Sequence, residues 1–109
     1  MEIQRQNGTL CVRGLRDLNA ASTQAFRDKI GSALASDLKR IEIDLSQIGF
    51  VDSAGVGALV SIYRTANEKN LNGGVTLRLM NPRPAVQQMF ELTRLHHLFQ
   101  IVPADNSPK

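Results

Sequence analysis

The sequence predicts an α/β layer fold. Arg40–Leu45 alternates strictly, with Ile41, Ile43 and Leu45 on one side and Glu42 and Asp44 on the other, the pattern of a half-buried strand. Phe26, Ile30, Ala33 and Leu34 recur at helical spacing and make a single apolar stripe. Segments of these two kinds then follow one another as strand, strand, helix, strand, helix, strand, helix and a last short strand. That order suits a sheet with helices layered on it, and its strand–helix–strand crossovers are expected to be right-handed. With 109 residues and neither a linker nor an internal repeat, the chain reads as a single domain over residues 1–109, with residues 103–109 as a frayed tail.

Each element has a local cause. Glu2–Gln6 and Thr9–Arg13 flank Asn7-Gly8, the pair best suited to a two-residue hairpin turn, which needs positive φ at both central positions. After a connector over Gly14–Leu18, a helix is expected from about Ala20 to Ala35, with Asn19 or Ser22 as its cap. Ser36-Asp37 ends it, and the strand Arg40–Leu45 follows. Beyond a loop over Ser46–Val51, a second helix spans about Asp52 to Asn70 on the stripe Val56, Leu59, Val60, Tyr63 and Ala66. Asn72-Gly73-Gly74 stops it. Val75–Met80 alternates again as a strand. Pro84 opens a third helix, since the first helical turn does not need the N–H that proline lacks. Leu95, Leu98, Phe99, Ile101 and Val102 form a last apolar patch that ends in a short strand.

Composition excludes several classes of function. Thirteen Lys and Arg against ten Asp and Glu leave +3, spread along the chain without a polybasic run, and one Tyr with no Trp offers few stacking surfaces, so nucleic-acid binding is not expected. No apolar run approaches the ~18–20 residues of a membrane span, and the first ten residues lack the apolar core of a signal peptide. Cys11 is a lone cysteine that cannot form an internal disulfide, and the expected location is cytoplasmic. No metal site is expected, because His96 and His97 are chain neighbours with no second Cys or His to complete a ligand set. Phosphate-cradling glycine motifs are missing, and Gly55-x-Gly57 lacks the third glycine of a dinucleotide loop. The order Val51-Asp52-Ser53-Ala54-Gly55 has valine where a serine-hydrolase elbow has its first glycine. No catalytic residue and no cofactor is therefore assigned.

One segment carries a functional signal. Ile41–Ala66 reads as a strand, a loop with apolar residues of its own, and a polar pair, Asp52-Ser53, that opens a helix. Ile48, Phe50 and Val51 are expected to tuck beneath the domain and fix that loop. The pair has a plain structural reading, because Asp and Ser are both strong N-caps, while Gly55 and Gly57 would mark close packing. It has a functional reading in the same geometry. A serine hydroxyl at a helix N-terminus sits beside unpaired N–H groups, where a phosphate can be accommodated. Phosphorylation would add a charge of roughly −1.5 to −2 next to Asp52. Ser53 thus has the placement of a reversible switch that alters binding without unfolding the domain.

At these residues the chain resembles the STAS domain and, within it, the bacterial anti-sigma factor antagonists. The resemblance covers nearly the whole length. It includes Leu10-Cys11-Val12-Arg13 in the hairpin, Ile41–Leu45 followed by Phe50–Gly55 as Phe-x-Asp-Ser-x-Gly, the small-residue helix Gly55–Tyr63, and Asn81–Val86 followed by Met89-Phe90 and Leu95. It implies a mixed, mostly parallel sheet packed with helices. It also implies that Ser53 is the phosphorylated serine and Asp52 the aspartate before it, with Gly55 and Gly57 in the motif at the helix start. The implied partners are an anti-sigma factor that is also an ATP-using serine kinase, and a metal-dependent serine phosphatase that resets the system; no direct membrane insertion is implied. A partner interface is expected over Asn19, Ile48, Phe50, Ala54 and Val56. The chain departs from many relatives in having Leu18-Asn19 for an acidic Leu-Asp pair, Ala54 for a second hydroxyl, and a positive net charge.

The resemblance implies a phospho-switched antagonist that releases a sigma factor for transcription. The same fold also serves as a non-switching scaffold subunit of a transporter or stress-signalling complex, in which Asp52-Ser53 would be a cap and a contact. An enzyme ranks last, since no phosphate cradle, metal cluster or placed base is present.

Overall fold

The computed structural model describes residues 1–70 and 74–103, the His96 side chain apart. Asn7 and Gly8 both adopt left-handed backbone, with φ of 50° and 82°. They join β1 (Glu2–Gln6) to β2 (Thr9–Arg13) as an antiparallel hairpin in which Ile3 faces Val12 and Arg5 faces Leu10. β3 (Arg40–Asp44) lies parallel to β2, β4 (Thr76–Met80) parallel to β3, and β5 (Gln100–Val102) parallel to β4. The sheet is therefore mixed and mostly parallel, with its five strands in sequence order. Parallel neighbours need crossovers, and α1 (Thr23–Gly31), α2 (Ser53–Lys69) and α3 (Pro84–Leu92) supply them.

The period-two pattern divides the sheet into two unlike faces. Leu10, Val12, Ile41, Ile43, Leu77 and Leu79 are buried in one cluster with Phe26, Ile30, Leu59, Ile62, Val86 and Phe90 of the helices. The residues between them on the strands, Cys11, Glu42 and Arg78, stand side by side in register and remain half-buried. There the Arg78 guanidinium donates to Glu42 at 2.9 Å, a cross-strand charge pair of the kind that helps fix register.

Two elements differ from the sequence expectation. The first helix is shorter than Ala20–Ala35. The Asn19 side chain accepts the N–H groups of Ala21 and Ser22, and its carbonyl accepts those of Ser22 and Thr23, so a separate turn occupies the start. Ser22 precedes the helix but makes no side-chain cap; its hydroxyl donates to the Asp17 carbonyl instead. At the far end the Ser32 hydroxyl donates back to the Asp28 and Lys29 carbonyls, a local bond that competes with helix continuation. The last apolar patch divides into a 3₁₀ turn over Leu95–His97 and the short strand β5. The expected stop at Asn72-Gly73 and the fraying of 104–109 lie outside the described residues.

The Asn67 amide ties the end of α2 to Val75, the residue before β4. Asn67 donates to the Tyr63 carbonyl at 2.9 Å and to the Val75 carbonyl at 3.3 Å, and its oxygen accepts the Val75 N–H at 2.8 Å. Val75 is buried. Asn67→Ala strands these groups and is expected to lower stability by about 1–3 kcal/mol in urea unfolding. An unchanged urea midpoint would show that the amide bonds are replaced by water at no cost.

Candidate functional site

The C-terminal ends of the parallel strands bring three loops to one edge of the sheet. Leu18, after β2, forms an isolated parallel bridge with Val51, after β3, and both are buried. The next residue, Asp52, is extended (φ −92°, ψ −179°) and caps α2. Its Oδ1 accepts the Gly55 N–H at 2.8 Å and its Oδ2 accepts the Ala20 N–H at 3.0 Å. One carboxylate thus serves donors on two separate segments, closing the helix start and holding the loop after β2 against it.

Gly55 makes that closeness possible. A Cβ built there would lie 2.2 Å from the Leu18 carbonyl oxygen and 2.9 Å from Val51 Cγ1. No L side chain fits against backbone at that distance. Gly57 differs: nothing lies within 4 Å of a Cβ built on it, so close packing is not its reason.

The two strong caps of the motif separate into different roles. Asp52 does the capping. Ser53 is the first residue of the helix, is exposed, and its hydroxyl has no hydrogen-bond partner among the described residues. The first N–H groups of a helix lack intrahelical acceptors and form the positive end of its dipole. The Ser53 side chain therefore stands beside the positive end of the helix dipole and is bonded to no other described residue.

One of the expected interface residues lies off the surface. Ile48 is wholly buried, so it cannot meet a partner; it anchors the loop from inside. Phe50, expected to tuck under, is 72% exposed. Its neighbour Val51 takes the inward place through the Leu18 bridge, and successive residues of extended chain point opposite ways. Ala54 and Val56 are half-buried, with Val56 packed against the core. Asn19 is half-buried at the turn before α1.

Sequence reasoning missed two participants. Arg83, at the N-cap of α3, donates from Nε to the Ser46 carbonyl at 3.0 Å and lies against Gly49. Asp44 accepts the N–H of Ser46 at 3.1 Å and its hydroxyl at 3.0 Å, and takes the Asn81 amide at 3.3 Å. The spacing Asp44-x-Ser46 is a local turn signature that could have shown the second. Nothing in the sequence pairs Arg83 with a loop 37 residues away.

Among the described residues, no three or more His, Cys, Asp or Glu side chains converge as metal ligands would, and no helix is long and apolar enough to cross a membrane. The STAS domain family model matches residues 1–106, and the chain belongs to that family. It is 24% identical over 104 residues to an anti-sigma F factor antagonist of Paenibacillus polymyxa, spanning 94% of this chain and 83% of the relative. Its fold superposes on the Thermotoga maritima protein TM1081 with a TM-score of 0.80 at 18% identity, covering 96% of this chain and 87% of that one. It superposes on the anti-sigma factor antagonist SpoIIAA in its unphosphorylated form with a TM-score of 0.73 at 21% identity, covering 96% and 90%.

Two glycine substitutions should act in opposite directions. Gly55→Ala drives a methyl group into the Leu18 carbonyl and is expected to cost about 3 kcal/mol or more. Gly57→Ala, in an open helix interior, should add about 0.5–1 kcal/mol. Thermal and urea unfolding of the two variants side by side checks both signs. Asp52→Ala removes the cap and the acceptor for Ala20, with an expected loss of about 1–2 kcal/mol in the same assay.

Proposed function

We propose that this chain is an anti-sigma factor antagonist switched at Ser53. Unphosphorylated, it binds an anti-sigma factor that is also a serine kinase, and the sigma factor is freed for transcription. The kinase phosphorylates Ser53 and the complex ends; a metal-dependent serine phosphatase restores the hydroxyl. The domain is itself a regulator and not an enzyme, and it works in the cytoplasm.

The observation that carries this reading is the division of labour at the start of α2. Asp52 already satisfies the helix cap, and Ser53 is left exposed with no structural bond to lose. The likeness to relatives named as antagonists supports the same reading. The charge effect has a definite sign: a phosphate of roughly −1.5 to −2 beside Asp52 turns the edge anionic.

The test is to recover the tagged chain from its host and map phosphate by mass spectrometry. Phosphoserine is expected at Ser53, together with a co-purifying kinase. Ser53→Ala should keep that kinase bound and accept no phosphate, while Ser53→Asp should bind it more weakly. Stability separates this from simple capping, because Ser53→Ala should unfold within about 0.5 kcal/mol of wild type. A larger destabilisation, with no phosphoserine in the host, would make Ser53 a structural residue.

A further inference from the structure

The turn that joins β1 to β2 places a side-chain amide beside an unhindered backbone nitrogen. Asn7 is exposed, and its amide makes no hydrogen bond among the described residues. The next residue, Gly8, has no Cβ to shield its nitrogen. The peptide unit between the two is bare: neither the Asn7 carbonyl nor the Gly8 N–H is hydrogen-bonded among the described residues. It can therefore rotate at the tip of the hairpin without giving up a bond.

The chain on either side of that peptide unit is held. Gln6 pairs with Thr9 across the tip. The Gly8 carbonyl accepts the Lys39 N–H at 2.8 Å and the Arg40 N–H at 3.2 Å, just where Thr9 begins the parallel pairing with Arg40. A Cβ built on Gly8 would lie 3.7 Å from the Asp37 carbonyl oxygen and 3.7 Å from Lys39 Cγ, so the turn rests on the segment that leads into β3. Gly8 is thus the first link between the hairpin and β3, and it adjoins a peptide that nothing holds.

We propose that Asn7 is a site of spontaneous covalent modification in the folded chain, and that its isoaspartate product unhooks the hairpin from β3. The Gly8 nitrogen attacks Asn7 Cγ. An N–Cγ bond forms, the Cγ–Nδ2 bond breaks, and ammonia leaves with the proton of the Gly8 N–H. Water then opens the cyclic imide. Addition at Cγ restores the ordinary main chain with an aspartate side chain. Addition at the Asn7 carbonyl carbon frees that carbon as a carboxylate and routes the main chain through Cβ and Cγ, which lengthens it by one carbon. A two-residue turn with positive φ at both positions has no place for an added backbone carbon, so the Gly8 carbonyl is drawn off Lys39 and Arg40. The reaction needs no enzyme, and water is its co-reactant. Asn72-Gly73 repeats the dipeptide but lies outside the described residues.

The test keeps the full chain folded in mildly alkaline buffer and maps its tryptic peptides over time by mass spectrometry, with electron-transfer fragmentation to tell isoaspartate from aspartate. The tryptic peptide over residues 6–13 carries Asn7 apart from Asn72. It should gain the mass of an NH-to-O exchange, mostly as isoaspartate. The rate should lie within about tenfold of that of the chain unfolded in urea, because opening at a hairpin tip belongs to the low end of local unfolding free energies. The product has a net charge one below the +3 of the intact chain and separates by ion exchange. In it the Lys39 and Arg40 amides should lose their protection from hydrogen exchange, and the thermal midpoint should fall. Asn7→Asp carries the same charge on an ordinary main chain and keeps a turn-forming pair, so its Lys39 and Arg40 amides should stay as protected as in wild type. Asn7→Gly removes the amide and keeps the turn, so its thermal midpoint should hold on storage. A folded chain in which Asn7 reacts more than about tenfold slower than in urea overturns the proposal. So does an isoaspartate form whose Lys39 and Arg40 amides stay protected, an Asn7→Asp variant that loses that protection, or an Asn7→Gly variant that declines as wild type does.

Discussion

The Asp52 carboxylate organises this molecule. With one oxygen it closes the first turn of α2, and with the other it holds the Ala20 N–H of a segment 32 residues earlier. Both bonds depend on the backbone of Gly55 sitting against the Leu18 carbonyl. A charge-assisted bond to a backbone donor is stronger than a neutral one, and the one to Gly55 is part-buried. It also has a consequence for chemistry: because Asp52 meets the needs of the helix end, Ser53 is left with none to meet.

That arrangement sits where an open α/β sheet tends to place its functional groups, beyond the carboxyl ends of parallel strands. The loops after β2, β3 and β4 converge there through the Leu18–Val51 bridge, the Leu45 N–H on the Met80 carbonyl at 2.8 Å, and Arg83 on Ser46. The rest of the fold backs this edge with a rigid support. One sheet face is packed against the helices, and the other carries a polar row built around Glu42 and Arg78. A change confined to such an edge leaves the packed core as it was.

Much of this could be read in the residues. Asn7-Gly8 dictates its turn because few residue pairs accept left-handed backbone twice in succession. The alternation over Arg40–Asp44 reports a strand with one buried face, and Pro84 stands at the start of α3 for want of an N–H. The places where reading failed are those where one local signal met another. Asn19 and Ser22 both looked like caps for a longer helix, and instead they build a turn that delays it. Ile48, Phe50 and Val51 looked alike as apolar loop residues, yet two point inward and one outward. Hydrophobicity alone carries no direction in a loop, where no regular period assigns a side.

The order of elements, the core faces of the strands and the choice of Asp52-Ser53 as the point of interest were all written in local pattern and local chemistry. These follow from short-range sterics and from the periods of strand and helix, which act over a few residues. Which member of the pair caps the helix, why Gly55 has no substitute, and why Phe50 and Arg83 share an edge were decided by contacts between segments far apart in the chain. Those contacts come from packing and long-range hydrogen bonds, and they exist only once the sheet has brought its loops together.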